Sequence, residues 1–337
     1  YTTTGGSQEV LYHRSEGIFL LAYQEGQCVY ERFWSTPLAD YPALWRDKLT
    51  RTIEAAFPKD TAGFAKALLM GDRSDISYET STDFKVSGIS HIIAVSGLHV
   101  SILFAIVTLI TGKRRLLMAL IGMPLLLLFA AVAGFTPSVT RACLMQMLFL
   151  IAMLCNKEYD PPTSLAFAAL TMLAVNPFVI TSVSFQLSVG CMAGIFLFSR
   201  RITGWINGFS FCKDWKGKNL KVRFRNWISG SVGITLGAMF FTTPLVAYYF
   251  GAVSLVGILT NLLTLGPVSL CFYGTMAVCF LSGIWPGLAG VAGWCISWVM
   301  RYVIAVAKML SAVPLAAVYT QSVFIIGWLA LCYALIL

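Results

Sequence analysis

Acidic residues are scarcest where the chain is most apolar. No Asp or Glu occurs between Asp83 and Glu158, between Asp160 and Asp214, or after Asp214. The buried carboxylate on which proton- and cation-coupled carriers commonly rely is therefore missing. Two readings stay open: a conduit for an anion or polyanion, or a membrane scaffold that conducts nothing. Histidine is limited to His13, His91 and His99, and there is no Cys-x-x-Cys pair, which argues against a dense zinc site. Ser96 has His99 at helical spacing, yet no carboxylate lies nearby in sequence to orient such a base. The nucleophile elbow G-x-S-x-G is absent as well, so an intramembrane hydrolase is disfavoured. No G-x-x-x-x-G-K-[ST] loop occurs, and ATP-driven work would need a partner. The residues call for no cofactor.

What is present is apolar. Hydrophobic residues make up 58% of the 337 and charged residues 12%, with a mean hydropathy of +0.76. An ordinary soluble domain is excluded, and a polytopic all-α membrane protein is expected. Charge is divided unevenly. Residues 1–87 hold nine Lys/Arg against twelve Asp/Glu, whereas the remainder holds fifteen against three. The two parts face different surroundings. Eight of the nine cysteines fall in the apolar part and read as small core residues; Cys28 stands alone in the N-terminal region. The chain opens on Tyr1 with neither Met nor signal peptide and stops within an apolar run at Leu337. It reads as an excerpt of a longer protein.

Three regions are expected: 1–36, 37–87 and 88–337. The first contains short alternating segments separated by Gly, such as Gly17 to Tyr23 and Gln27 to Phe33, and reads as β-rich. In the second, Tyr41, Leu44, Trp45, Leu49, Ile53 and Phe57 recur at helical spacing. Pro58 suits the first turn of a second helix and Gly71 its end. Either helix is suited to the membrane surface or to packing on the bundle. Asp72 and Arg73 follow, as a loop pair or a ligand contact.

Spans of roughly twenty residues can then be placed at 88–111, 116–135, 138–155, 162–175 and 178–199. Helices interrupted by Pro or Gly are expected at 227–250 and 254–270, and further helices at 269–284, at 288–310 and from Val323, about eight to ten in all. The basic stretch 200–225 carries eight Lys/Arg, among them Arg200, Arg201, Lys218, Lys221, Arg223 and Arg225, against the single Asp214. It and Lys113-Arg114-Arg115 both follow odd-numbered spans, so they share a side. The positive-inside rule makes that side cytoplasmic and the N-terminal region extracytoplasmic.

The stretch on which this plan turns is His91-Ile-Ile-Ala-Val-Ser-Gly-Leu-His-Val-Ser101. On a continuous helix His91, Val95, Leu98, His99 and Ile102 share one face, and Gly97 leaves a gap for another backbone. Imidazoles and hydroxyls in an apolar span need partners or water. Arg141, near the outer end of the third span, either snorkels or offers a fixed positive charge to phosphates. Ser184 and Gln186 in the fifth span are interhelical glue or path lining. Arg301 and Lys308, seven residues apart, share a helical face.

The string HIIAVSGLHVS resembles the signature of the ComEC-type competence family of bacterial DNA-internalisation channels. Ala67 to Ser74 (ALLMGDRS) resembles that family's ALLxGDRS turn, Thr136 to Ala142 (TPSVTRA) its P-x-x-R-A pattern and Ser184 to Ser188 (SFQLS) its FQLS motif. Thr242-Thr-Pro244, Tyr248-Tyr-Phe250, Ser254 and Asn261 to Pro267 follow in the family's order. The resemblance covers roughly residues 67–267. It implies that 1–36 is the end of an OB-like extracytoplasmic domain, and that the apolar part passes single-stranded DNA through the bacterial cytoplasmic membrane during natural transformation. Phosphates would be met by Arg141 and Arg301, with His91, Ser96, His99, Ser101, Ser184, Gln186 and Asn261 along the lining. The basic cytosolic stretch would receive the strand. Implied partners are the lipid bilayer, a nuclease activity, an outer DNA receptor, and a cytosolic DNA-handling ATPase or single-strand-binding protein. Competing with this are a carrier of a small anionic solute or lipid precursor and the non-conducting scaffold.

Overall fold

The structure, a computed structural model, describes residues 41–93, 95–112, 114–208, 220–319 and 327. The β-rich region 1–36, Lys218 and the helix expected from Val323 lie outside them. Within them the regular structure is α-helical apart from a 3-10 helix at Pro177–Thr181 and one short antiparallel pair, β1 (Ala252–Ser254) against β2 (Ala317–Tyr319), with Val253 opposite Val318. Six helices are long and apolar enough to cross a membrane, and two shorter ones are apolar throughout. This is a multi-pass membrane protein.

The chain divides into two compact units. The first holds α1 (Tyr41–Ala56), α2 (Lys59–Met70), α5 (Gly97–Ile110), α6 (Arg115–Val132), α7 (Pro137–Leu154) and α8 (Pro161–Val175). At its centre α7 packs on α5, α6 and α8. Small residues let these helices close up: a Cβ on Gly122 of α6 would sit 3.2 Å from Leu150 Cδ1 of α7 and 3.7 Å from Val107 Cγ1 of α5. The Cys143 thiol of α7 lies 3.5 Å from the Leu126 carbonyl of α6. Around α6, Met118, Ala119, Leu126 and Phe129 are buried while Leu116, Leu120, Leu127 and Leu128 are exposed. An exposed leucine face on a helix of this length is one made for lipid.

Local signals set the ends. Asp160 caps α8, accepting the Thr163 amide at 3.0 Å. The α6–α7 hairpin closes through Gly134 and Phe135, both at positive φ, with the Phe135 amide bonded to the Ala130 carbonyl at 2.8 Å. Gly71, at φ 75°, ends α2. That second helix is buried from Thr61 to Met70, so of the two placements open to it, packing on protein is realised. Its Lys66 is paired at 2.8 Å with the half-exposed Glu54 of α1.

The second unit holds α3 (Tyr78–Val86), the short α4 (Ser90–Ile93), α10 (Leu220–Phe250), β1 and β2, with the greater part of α9 (Val183–Gly208), and the parts of α11 (Gly257–Ser282) up to Cys271 and α12 (Pro286–Ser311) from Ile296 on. The remaining ends of these three helices belong to the first unit. Helices α9 and α10 cross so closely that a Cβ on Gly194 would overlap the Gly237 carbonyl, and one on Gly233 would overlap Thr203 Oγ1. Such crossings depend on small residues, because lipid supplies no hydrophobic push. Glu79 of α3 meets Lys308 of α12 at 3.0 Å, and Asp83 accepts the Ser311 hydroxyl at 2.7 Å.

Three expectations need correction. The first span is not one helix: Gly88 takes φ 83°, α4 is a single turn, and Ser96 is extended (φ −138°) before α5 begins. Conversely, α10 runs unbroken through Pro244 and α11 through Pro267, so the helices expected at 254–270 and 269–284 are one. A proline deletes one bond of a long ladder, and flanking turns outweigh it. Hydroxyls beside both prolines bond carbonyls four residues back, Thr242 to Ala238 at 3.0 Å and Ser269 to Leu265 at 2.8 Å. The basic stretch is also less of a loop than expected: α9 carries Arg200 and Arg201, and α10 begins at Leu220.

Candidate functional site

Ser96, His99 and Ser101 of the signature stretch lie where α5 begins. Ser96, the residue before α5, donates its backbone N–H to Nδ1 of His99 at 3.1 Å, and its Oγ lies 3.3 Å from the same nitrogen. This is a capping box with histidine in the place usually held by Glu or Gln. Since Nδ1 accepts, the neutral ring carries its proton on Nε2. That nitrogen is buried and has no hydrogen-bond partner among the described residues. The ring itself is fully buried, edge-on to Phe272 with centroids 4.7 Å apart, and Phe129 meets Phe272 in turn.

Opposite the start of α5 stands Arg141 of α7, only 6% exposed. Its Nη1 is 3.8 Å from Met145 Sδ, and its Nη2 faces Gly97, the first residue of α5. A guanidinium is thus packed within an apolar bundle, at the positive end of a helix dipole. Burying a charge among apolar helices is costly and calls for compensating partners. Ser101, one turn further along α5, is exposed and bonds the Gly97 carbonyl at 2.9 Å.

Of the other expected site residues in the first unit, Ser184 is half-buried on α9, and Asp72 lies 3.9 Å from Arg46 just beyond the Gly71 turn, with Arg73 beside it. In the second unit His91 sits on α4, and Gln186 of α9 accepts the Tyr249 hydroxyl of α10 at 2.9 Å. Arg301 lies over the Trp298 ring, 5.2 Å from its centroid. Asn261 Oδ1 and Ser254 Oγ are buried without a hydrogen-bond partner among the described residues. Arg200 and Arg201 are exposed near the end of α9, and Lys221, Arg223 and Arg225 fall in the first turns of α10. Ser96, His99, Ser101 and Arg141 therefore share one unit, whereas His91, Gln186, Asn261 and Arg301 belong to the other. Phe272 was not singled out by sequence; only its contact with His99 reveals it, and no spacing rule links positions so far apart.

A family model described as "Competence protein" matches residues 68–337. The chain is 32% identical over 148 residues to ComE operon protein 3 of Bacillus subtilis, a match covering 42% of this chain and 19% of that protein. It is 26% identical over 234 residues to Recombination protein 2 of Haemophilus influenzae, covering 66% of this chain and 29% of the relative. An uncharacterized protein of Aquifex aeolicus is 27% identical over 224 residues, 66% of this chain and 49% of its own length. In each case the matched part is less than half of the relative. No solved structure matches.

Proposed function

Because this chain belongs to the competence protein family, we propose that its helices form a conduit passing a single DNA strand through the bacterial cytoplasmic membrane during natural transformation. The observation that carries this reading is Arg141, a nearly buried guanidinium held against the signature stretch in a membrane protein. A guanidinium fork is matched to phosphate oxygens, and a desolvated one binds them more strongly than one in water. The scarcity of acidic groups among the membrane helices supports the same cargo, since carboxylates would repel a polyanion. In the first unit Ser96, His99, Ser101 and Ser184 are the other polar candidates beside Arg141; in the second, taken by itself, the candidates are His91, Gln186, Asn261 and Arg301.

The basic residues 200–225 lie on the cytoplasmic side by the positive-inside rule, which puts the N-terminal region and Thr136-Pro137 outside. There Arg200, Arg201 and their neighbours receive the emerging strand. Work on the strand falls to partners: a nuclease activity and a DNA receptor outside, an ATPase or single-strand-binding protein within. The test is uptake of labelled DNA by cells carrying Arg141→Ala or Arg141→Lys. Arg141→Ala is expected to abolish transformation with protein level and surface-bound DNA unchanged, and Arg141→Lys to retain part of it. Normal transformation in Arg141→Ala would refute the assignment.

A further inference from the structure

Gly97 is not glycine for the sake of its own backbone, which is ordinary helix at the first position of α5. What lies opposite would crowd a side chain. A Cβ built there would sit 3.2 Å from Nη2 of Arg141 and 3.6 Å from Cβ of Ala142. The second distance is ordinary contact; the first is tight, so the tip of the guanidinium must give by a few tenths of an ångström.

We propose that Gly97 is the positioning residue for Arg141: its missing side chain lets the guanidinium seat against the first turn of α5, and the Ser96–His99 box fixes where that turn begins. This rests on the reading of Arg141 as a phosphate contact and adds how the contact is aimed. Ser96 is extended and His99 closes back onto its amide, so the chain enters α5 in one register. Gly97 must then be the residue presented to α7. Reading the signature stretch as a lining alone assigns Gly97 no task; the geometry assigns it the seat of the charge.

The steric conflict is with the far end of a flexible side chain, so Gly97→Ala should fold and accumulate normally while displacing the guanidinium. Three variants test this: Gly97→Ala, Arg141→Lys, and the two together, each scored for transformation frequency, accumulation and surface-bound DNA. Gly97→Ala is expected to reduce transformation roughly tenfold at unchanged accumulation, as contacting residues with a shared partner couple at that scale. Lysine keeps the charge but lacks the Nη2 atom that a Cβ would meet. Adding Gly97→Ala to Arg141→Lys is therefore expected to cost nothing further. The same tenfold loss in both backgrounds, reduced accumulation whichever residue stands at 141, or no loss from Gly97→Ala while Arg141→Ala is inactive would each overturn the proposal. Full activity of Arg141→Ala would overturn the underlying reading first, and this proposal with it.

Discussion

His99 turns its Nδ1 back onto the backbone N–H of Ser96, 3.1 Å away, and closes the N-terminus of α5 with its own ring. One residue thereby ends the extended entry to the helix, buries an imidazole against Phe272 and leaves a donor, Nε2, facing the interior. The break in the first span follows from this bond, because a residue that caps a helix cannot also continue the one before it.

Glutamine at position 99 would restore the usual form of the box, Ser-x-x-Gln. His99→Gln is expected to melt in detergent close to the unchanged protein, and His99→Ala to lose about 1–2 kcal/mol from the missing cap, with further loss from the space left beside Phe272. Thermal unfolding of the three proteins checks it; equal melting of the Ala and Gln variants would show that the cap contributes nothing.

The α9–α10 crossing makes a sharper claim about packing. Gly194→Ala would drive a methyl group into the Gly237 carbonyl, whereas Gly204 on the same helix has open space where a Cβ would lie. Gly194→Ala is expected to destabilise by about 1–3 kcal/mol and to lower accumulation in the membrane, with Gly204→Ala neutral. Immunoblots of membrane fractions distinguish them.

Lys66 and Glu54 form a lopsided pair, with side chains 6% and 54% exposed. Removing the carboxylate takes an ion-pair partner from a buried ammonium, while an apolar side chain in place of the ammonium removes the need for one. Glu54→Ala is expected to cost about 1–3 kcal/mol, discounted for the exposure of Glu54, and Lys66→Met to be neutral or stabilising. Denaturation of both in the same detergent decides the order.

At the start of α8, the Thr163 hydroxyl and amide hold the Asp160 carboxyl below its ordinary value. A depressed carboxylate contributes stability above its unfolded pKa of about 3.9 and loses it as pH falls through the lower folded value. Asparagine also caps but does not titrate in this range. Relative to Asp160→Asn, the unchanged protein is expected to lose melting temperature between about pH 5 and about pH 2. Parallel pH dependence of the two would contradict the assignment.

Hydropathy and charge made the membrane class and most of the spans legible in the sequence, because lipid imposes length and apolarity on every helix. Gly97 read as a gap for another backbone, whereas the atoms that meet it are side-chain atoms, Arg141 Nη2 and Ala142 Cβ. The break before α5 was not legible, since His91 to Ser101 is apolar enough to pass for one helix and histidine is an uncommon partner in a capping box. Pro244 and Pro267 misled in the other direction, as single prolines are tolerated in long helices. The burial of α2 was hidden behind Thr61 and Lys66, polar residues that read as solvent-facing; the Thr61 hydroxyl bonds the Pro58 carbonyl three residues back, and Lys66 pairs with Glu54 of α1.

The central claim is that DNA passes the buried charge at Arg141. A photoreactive residue placed at Leu98 of α5 or Ser138 of α7, in cells taking up a labelled single strand, tests it most directly. A crosslink to the strand in transit is expected, absent when transformation is blocked. Full transformation with no crosslink at either position, while a lipid-facing control at Leu120 is equally silent, would contradict it.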